Sequence, residues 1–150
     1  MRYKRPESVL VVIYCQQSER VLMLQRNDDL TFWQSVTGSL EMDEIPEQTS
    51  LREVKEETGI DISQERLQLI DANFSVEFEI FPQFRHRYAA QVTHNLEHWF
   101  FLNLPDERVI NLTEHQAYQW LAANEAAQLT KSWNNRQAIE WLIEKQFILN

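Results

Sequence analysis

The 150-residue chain contains only two glycines, Gly38 and Gly59, and they bracket a helix-length run in which Glu44, Arg52, Glu53, Glu56 and Glu57 stand at fixed intervals. Pro46 is tolerated in a first helical turn, 47–58 holds neither glycine nor proline, and Gly59 is the residue type that ends helices in a left-handed conformation. The spacing therefore predicts a helix over about 46–58. At about 100° per residue, Glu53, Glu56 and Glu57 share an arc of roughly 100°, and Leu51, Val54 and Thr58 lie roughly 140° away. One face is buried and the other is carboxylate.

Like charges three or four positions apart destabilise a helix by a few tenths of a kcal/mol per pair. Their clustering is unfavourable unless a cation sits among them, and a hard divalent ion such as Mg²⁺ takes carboxylate oxygens while leaving positions for water and phosphate. Judged on the carboxylates alone, a solvated acidic face with an Arg52 to Glu56 pair at i, i+4 explains the run as well.

The complete pattern decides between them. Gly38, five residues, Glu44, seven residues, then Arg52-Glu53-Val54-Lys55-Glu56-Glu57-Thr58-Gly59-Ile60 resembles the Nudix box at every specified position. With ordinary residues at roughly 5 to 10% frequency, seven fixed letters arise by chance on the order of once in 10⁸ starting points. The resemblance implies a Nudix-type α/β/α sandwich with a mixed β-sheet, and a Glu44–Arg52 pair that holds the loop against the helix. It also implies a divalent cation, Mg²⁺ or Mn²⁺, bound by Glu53 and Glu57, with Glu56 as ligand or base.

Length fits one domain spanning 1–150, and 43% apolar content with five Trp, four Tyr and eight Phe supports a packed core. Lone Cys15 ends the apolar run from Val9 and reads as an inert core thiol in a reducing compartment. Arg2-Tyr3-Lys4-Arg5 before 8–13 has a superficial signal-peptide look, but the apolar run is short and no small-residue cleavage site follows. No segment approaches the roughly 20 apolar residues that span a bilayer, so the expectation is a soluble cytoplasmic protein. A net charge of -9 argues against a general nucleic-acid binder. Anionic substrates must then be met by metal and a few placed cations.

Strands are expected at 9–14, 21–24, 33–37, 67–70, 75–81, 97–104 and 117–121, from short branched or aromatic runs between polar connections. The stretch 83–95 reads as loop. Ala138, Ile139, Trp141, Leu142 and Phe147 at helical spacing predict a packed helix over 134–147.

Nudix enzymes often add a carboxylate from a late loop. Thr113-Glu114-His115 looks like that feature, which makes Glu114 the added ligand; as a bland alternative it is a turn or cap residue. His115 reads as structural, since Mg²⁺ prefers oxygen. Lys4 and Arg26 are cations placed to neutralise phosphate, and Thr130-Lys131-Ser132 precedes a helix whose N-terminus offers free N–H groups to an anion. The run Arg85-His86-Arg87 is either a further phosphate contact or a solvated loop.

The likeness extends beyond the box, through 4–14, 32–38, 76–81, 85–88 and 129–133, to bacterial Nudix members that cleave a pterin triphosphate in folate biosynthesis. Many relatives carry Pro-Gly-Gly where this chain has Val36-Thr37-Gly38. By matching position, the resemblance makes Lys4, Arg26, Thr37 and Ser132 substrate contacts and Phe78, Glu79, Ile80 and Phe81 the lining of a base pocket. Glu79 would accept from the N–H and amino edge of a pterin or guanine, or else stand in water on a half-exposed strand. The implied reaction yields a monophosphate and pyrophosphate; ordinary or oxidised (d)NTPs and a non-catalytic nucleotide sensor are the competing readings.

Overall fold

The chain was described from a computed structural model covering residues 2–148. Its centre is β1 (Glu7–Cys15), buried along nearly its whole length because both of its faces are covered. Val9, Val11 and Ile13 pack toward Val54, Ile60 and Ile62, whereas Leu10, Val12 and Tyr14 pack toward Ala126, Ile139 and Leu142. An unbroken apolar run is what a strand between two layers requires. Cys15 lies buried and unpaired at its end.

β2 (Arg20–Arg26) returns antiparallel, but the two strands pair only at the hairpin end, Tyr14 with Val21 and Cys15 with Arg20. Beyond that point they diverge. β3 (Trp33–Gln34) takes the edge of β2 and β4 (Val36–Ser39) takes the edge of β1. The strand expected over 33–37 is thus two short strands with different partners, broken at Ser35. Asn135 plugs the break: its Oδ1 accepts from the Ser35 N–H at 2.8 Å and its Nδ2 donates to the Ser35 hydroxyl at 3.0 Å.

On its other edge β1 runs parallel to β6 (His94–Leu104), and β5 (Leu69–Glu79) closes that side antiparallel to β6. The expected strands at 67–70 and 75–81 are one strand with an irregularity between Asp71 and Ser75, where Asn73 takes φ 52°. β7 (His115–Ala122) pairs with β2 and completes a seven-stranded mixed sheet.

α1 (Pro46–Thr58) and α2 (Ile62–Glu65) cover one face; α3 (Ala123–Leu129) and α4 (Trp133–Glu144) cover the other. The result is an α/β sandwich, as the sequence led one to expect. α1 has the predicted bounds. Pro46 occupies its first turn, the Ile45 N–H donates to Gln48 Oε1 at 3.0 Å, and Gly59, at φ 80°, donates its N–H to the Lys55 carbonyl. α2 and α3 were not foreseen; Pro82–Arg87 forms a 3-10 turn across the start of the loop expected over 83–95, and the last two residues of that stretch belong to β6. α4 ends at Glu144 rather than 147, although Phe147 still packs on Trp141 and Tyr14. No helix among the described residues is long and apolar enough to cross a membrane.

Candidate active site

Where β1 and β2 part, a cleft of about 380 Å³ opens, within the size range of small-molecule sites. One part of it is walled by α1. Glu53 and Glu57 project from the same helical face, and Glu114 reaches them from the loop before β7. A ligand oxygen from each of the three lies within 4.8 Å of the others. The end of that loop is tied down by two adjacent residues: Asn27 Nδ2 donates to the Glu114 carbonyl at 2.6 Å, and the Thr113 hydroxyl donates to the Glu56 carbonyl.

Gly38 is required here for close approach rather than for backbone freedom. A Cβ on it would lie 1.6 Å from Glu53 Oε2. The two glycines therefore serve different ends of the same device, one admitting a carboxylate and the other terminating its helix.

Burial pushes the Glu53 carboxyl up to about 7, opposed by the nearby Arg52 guanidinium and aided by Glu56 and Glu114. Glu57, 2% exposed, is also raised well above the ordinary carboxylate range, by burial and then by Glu53 and Glu114. Its Oε1 has no hydrogen-bond partner, and neither has the buried His115 Nδ1. His115 Nε2 lies 3.7 Å from that same Oε1, but burial, and then Arg26, hold the ring down to about 4. The contact is that of a neutral imidazole, beyond hydrogen-bond reach. Buried polar atoms are normally satisfied, so an orphaned carboxylate oxygen among three carboxylates fits a divalent cation, and an all-oxygen donor set suits a hard one.

Facing this acid lies a cationic wall. Arg26 donates to both oxygens of Asp28 at 2.7 Å and lies 4.5 Å from the Phe84 ring centroid. Arg87 shares the same Asp28 at 3.1 Å and also sits over Phe84. Hydrogen bonds from Arg26 hold Asp28 down to about 2. The Lys4 N–H donates to the Arg87 carbonyl, which brings the chain start alongside; burial, then Arg87, lower its ammonium.

The NUDIX domain model matches residues 4–142. The chain belongs to the Nudix family. It is 62% identical over 148 residues to the dihydroneopterin triphosphate diphosphatase of Escherichia coli K12, covering 99% of this chain and 95% of that protein. The Haemophilus influenzae diphosphatase of the same name is 51% identical over 93% of this chain and 89% of that one. The solved E. coli dihydroneopterin triphosphate pyrophosphohydrolase superposes with a TM-score of 0.94 at 61% identity, covering 97% of this chain and 99% of that one.

The Nudix box accounts for the support around the carboxylates. Arg52 donates through Nε and Nη2 to Glu44 at 2.8 and 2.9 Å and through Nη2 to the Ser39 carbonyl at 3.1 Å. The Thr49 hydroxyl and Glu41 N–H also donate to Glu44. Glu56 lies outside the carboxylate triad but beside Glu53, paired with Arg52 at 3.3 Å and about half exposed.

All eight residues that the sequence assigned to substrate line the cleft: Lys4, Arg26, Thr37, Phe78, Glu79, Ile80, Phe81 and Ser132. Besides Arg26, which is held by Asp28, several of them already have partners. Ser132 caps α4 by accepting from the Asn135 N–H, and the Thr37 hydroxyl donates to the Val9 carbonyl. Glu79 sits at the rim, 66% exposed, with Arg85 at 2.6 Å.

Sequence reasoning missed Glu97 and Asn134, which also line the cleft. Glu97 is 3% exposed, and burial pushes its carboxyl up to about 7 against hydrogen bonds from Asn134 Nδ2 at 2.7 Å and Trp99 Nε1 at 3.2 Å. The signal was available: Glu97 has the parity of Trp99 and Phe101, so it is a charge on the inward face of a core strand.

Proposed function

We propose that the chain, acting as a single domain, hydrolyses dihydroneopterin triphosphate to the monophosphate and pyrophosphate with Mg²⁺ as cofactor, in the folate-pathway setting that the resemblance implies. The observation that carries this is one cleft in which Glu53, Glu57 and Glu114 converge within 4.8 Å opposite Lys4, Arg26 and Arg87. Close similarity to two diphosphatases of that name supports the choice of substrate.

Glu53, Glu57 and Glu114 would hold the cation, Mn²⁺ being an acceptable substitute for an all-oxygen set. When bound, a divalent ion polarises phosphate oxygens and lowers the pKa of a water. The chain's own groups supply the rest. Lys4, Arg26 and Arg87 offset charge on the phosphates from the other side, and the two arginines are pre-oriented by Asp28 and Phe84 so that little reorganisation accompanies reaction. Glu56, outside the triad yet beside Glu53, is the box carboxylate left to take the proton from water, a role worth about 10²- to 10⁴-fold. Gly38 lets Glu53 reach its position, and Arg52, bound to Glu44 and to the Ser39 carbonyl, fixes the end of β4 that carries Gly38 and the loop after it.

The test is pyrophosphate release, with Mg²⁺, from a panel of dihydroneopterin triphosphate and the eight common (d)NTPs. The expected result is preferential turnover of the pterin substrate. Cleavage of no member would overturn the reading in favour of a nucleotide-sensing module, and uniform cleavage would favour a general nucleotide pyrophosphohydrolase.

A further inference from the structure

Glu97 takes no part in holding metal or phosphate, yet it is a carboxylate 3% exposed with no cation beside it among the described residues. Buried carboxylates are ordinarily paired. Both hydrogen bonds that the structure gives it, from Asn134 Nδ2 and Trp99 Nε1, fall on Oε1. They fix the carboxylate's orientation and leave Oε2 to the cleft that Glu97 lines. A glutamine would serve those two donors equally well, so orientation alone does not call for a charge.

The surroundings have the shape of a ring site. Phe78 is a diagonal neighbour across the β5–β6 pair, where Val76 faces Glu97 and Phe78 faces Asn95. Trp133 stands next to Asn134 at the start of α4, and both aromatic residues line the cleft. Apolar faces beside one fixed acceptor bind a flat heterocycle by stacking and select it by its edge.

We propose that Glu97 is the specificity residue of this cleft, accepting hydrogen bonds from the adjacent ring N–H and exocyclic amine of a 2-amino-4-oxo heterocycle. The proposal rests on the triphosphate-hydrolase reading above and names the group that chooses its ring. Pterins and guanine carry that pair of neighbouring donors. Adenine and cytosine place a lone pair next to their amine, and uracil and thymine flank their N–H with carbonyls; each would turn an acceptor toward the carboxylate. Glu79, the residue that the sequence nominated for this task, is engaged by Arg85 at the rim.

Glu97→Gln keeps the shape and one acceptor but presents an amide donor where Oε2 stood. The expected result is a fall of about 50-fold or more in the ratio of kcat/KM for dihydroneopterin triphosphate to that for ATP, since a site built to pair a polar edge discriminates strongly. GTP should lose ground to ATP in the same direction. A purely structural role would lower all substrates together, and an unchanged ratio overturns the proposal. If Glu97→Gln fails to fold, Glu97→Asp, which withdraws the carboxylate by one methylene, carries the same test.

Failure of the parent reading is separable. If wild type does not cleave dihydroneopterin triphosphate, calorimetry with phosphate-free 7,8-dihydroneopterin decides the role of Glu97. Binding that weakens at least about tenfold in Glu97→Gln supports it, on the scale of a single charge-assisted hydrogen bond. Equal binding by both proteins, or none by wild type, overturns it.

Discussion

Glu44 and Glu57 belong to the same box, and the structure treats them in opposite ways. Glu44 receives the Arg52 fork, the Thr49 hydroxyl and the Glu41 N–H, and the Arg52 hydrogen bonds bring its carboxyl down to about 2. Glu57 is buried beside two more carboxylates, keeps an oxygen with no partner, and is held well above the ordinary carboxylate range by burial. A carboxylate whose acceptors are all used stabilises the fold. One left short of donors costs stability and marks a place for something the chain does not itself provide.

The sharpest way to break this contrast is to neutralise each in turn. Glu57→Gln is expected to cut kcat by about 10³-fold or more, on the order of 4 kcal/mol in the barrier. The metal-free protein should meanwhile keep or raise its Tm, because an uncompensated buried charge is gone. Steady-state pyrophosphate release and a thermal melt check the two halves; a Tm that falls along with activity would make Glu57 a structural residue like Glu44.

Metal linkage should be the next largest effect. A ligand that binds only the folded state at 100 times its Kd stabilises by about 2.7 kcal/mol. Mg²⁺ should therefore raise the Tm of wild type and of Glu44→Gln, and leave that of Glu57→Gln nearly unmoved.

Glu44→Gln should cost about 2 kcal/mol in urea unfolding, because it removes the charge that receives the two short Arg52 hydrogen bonds and leaves that guanidinium its longer contacts with Glu56 and the Ser39 carbonyl. The Glu44 carboxyl lies below its ordinary 4.5, at about 2. Its contribution is thus complete above about pH 4.5 and lost as pH falls toward 2, so wild type and Glu44→Gln should converge over that window.

The smallest expected effect concerns Glu97, raised to about 7 by burial. The folded state holds its proton more tightly than the unfolded chain does, so the stability this provides is present below about pH 4.5 and lost as pH rises through 7. Relative to Glu97→Gln, metal-free wild type should weaken by about 1–2 kcal/mol between pH 5 and 8. A difference that stays flat with pH would mean that Glu97 is better compensated than its two hydrogen bonds indicate.

Much of this was legible beforehand because it is local. The bounds of α1 follow from Pro46 and Gly59, and the spacing of Glu53 and Glu57 from helical geometry. The two-layer burial of β1 follows from an apolar run with no polar alternation. Other features were hidden for physical reasons. α3 is only seven residues long and buries alanines, which give little periodic signal. The split at Ser35 depends on Asn135, a residue 100 positions away. β5 continues through Asn73 because β6 pairs with it on both sides of the irregularity.

The sequence by itself determined which carboxylates share a helix face and which glycine ends that helix, because those relations span one or two turns of chain; the arginine that supports the loop came with the resemblance to the Nudix box. Only the tertiary structure decided that Glu97 and Asn134 meet in one cleft with that helix, and that Arg87 belongs there with Lys4 and Glu114. Side chains from separate elements come together through strand pairing and layer packing. Neither Glu97's burial nor Glu57's unpartnered oxygen exists until the sheet has parted between β1 and β2 and the helices have closed over both of its faces.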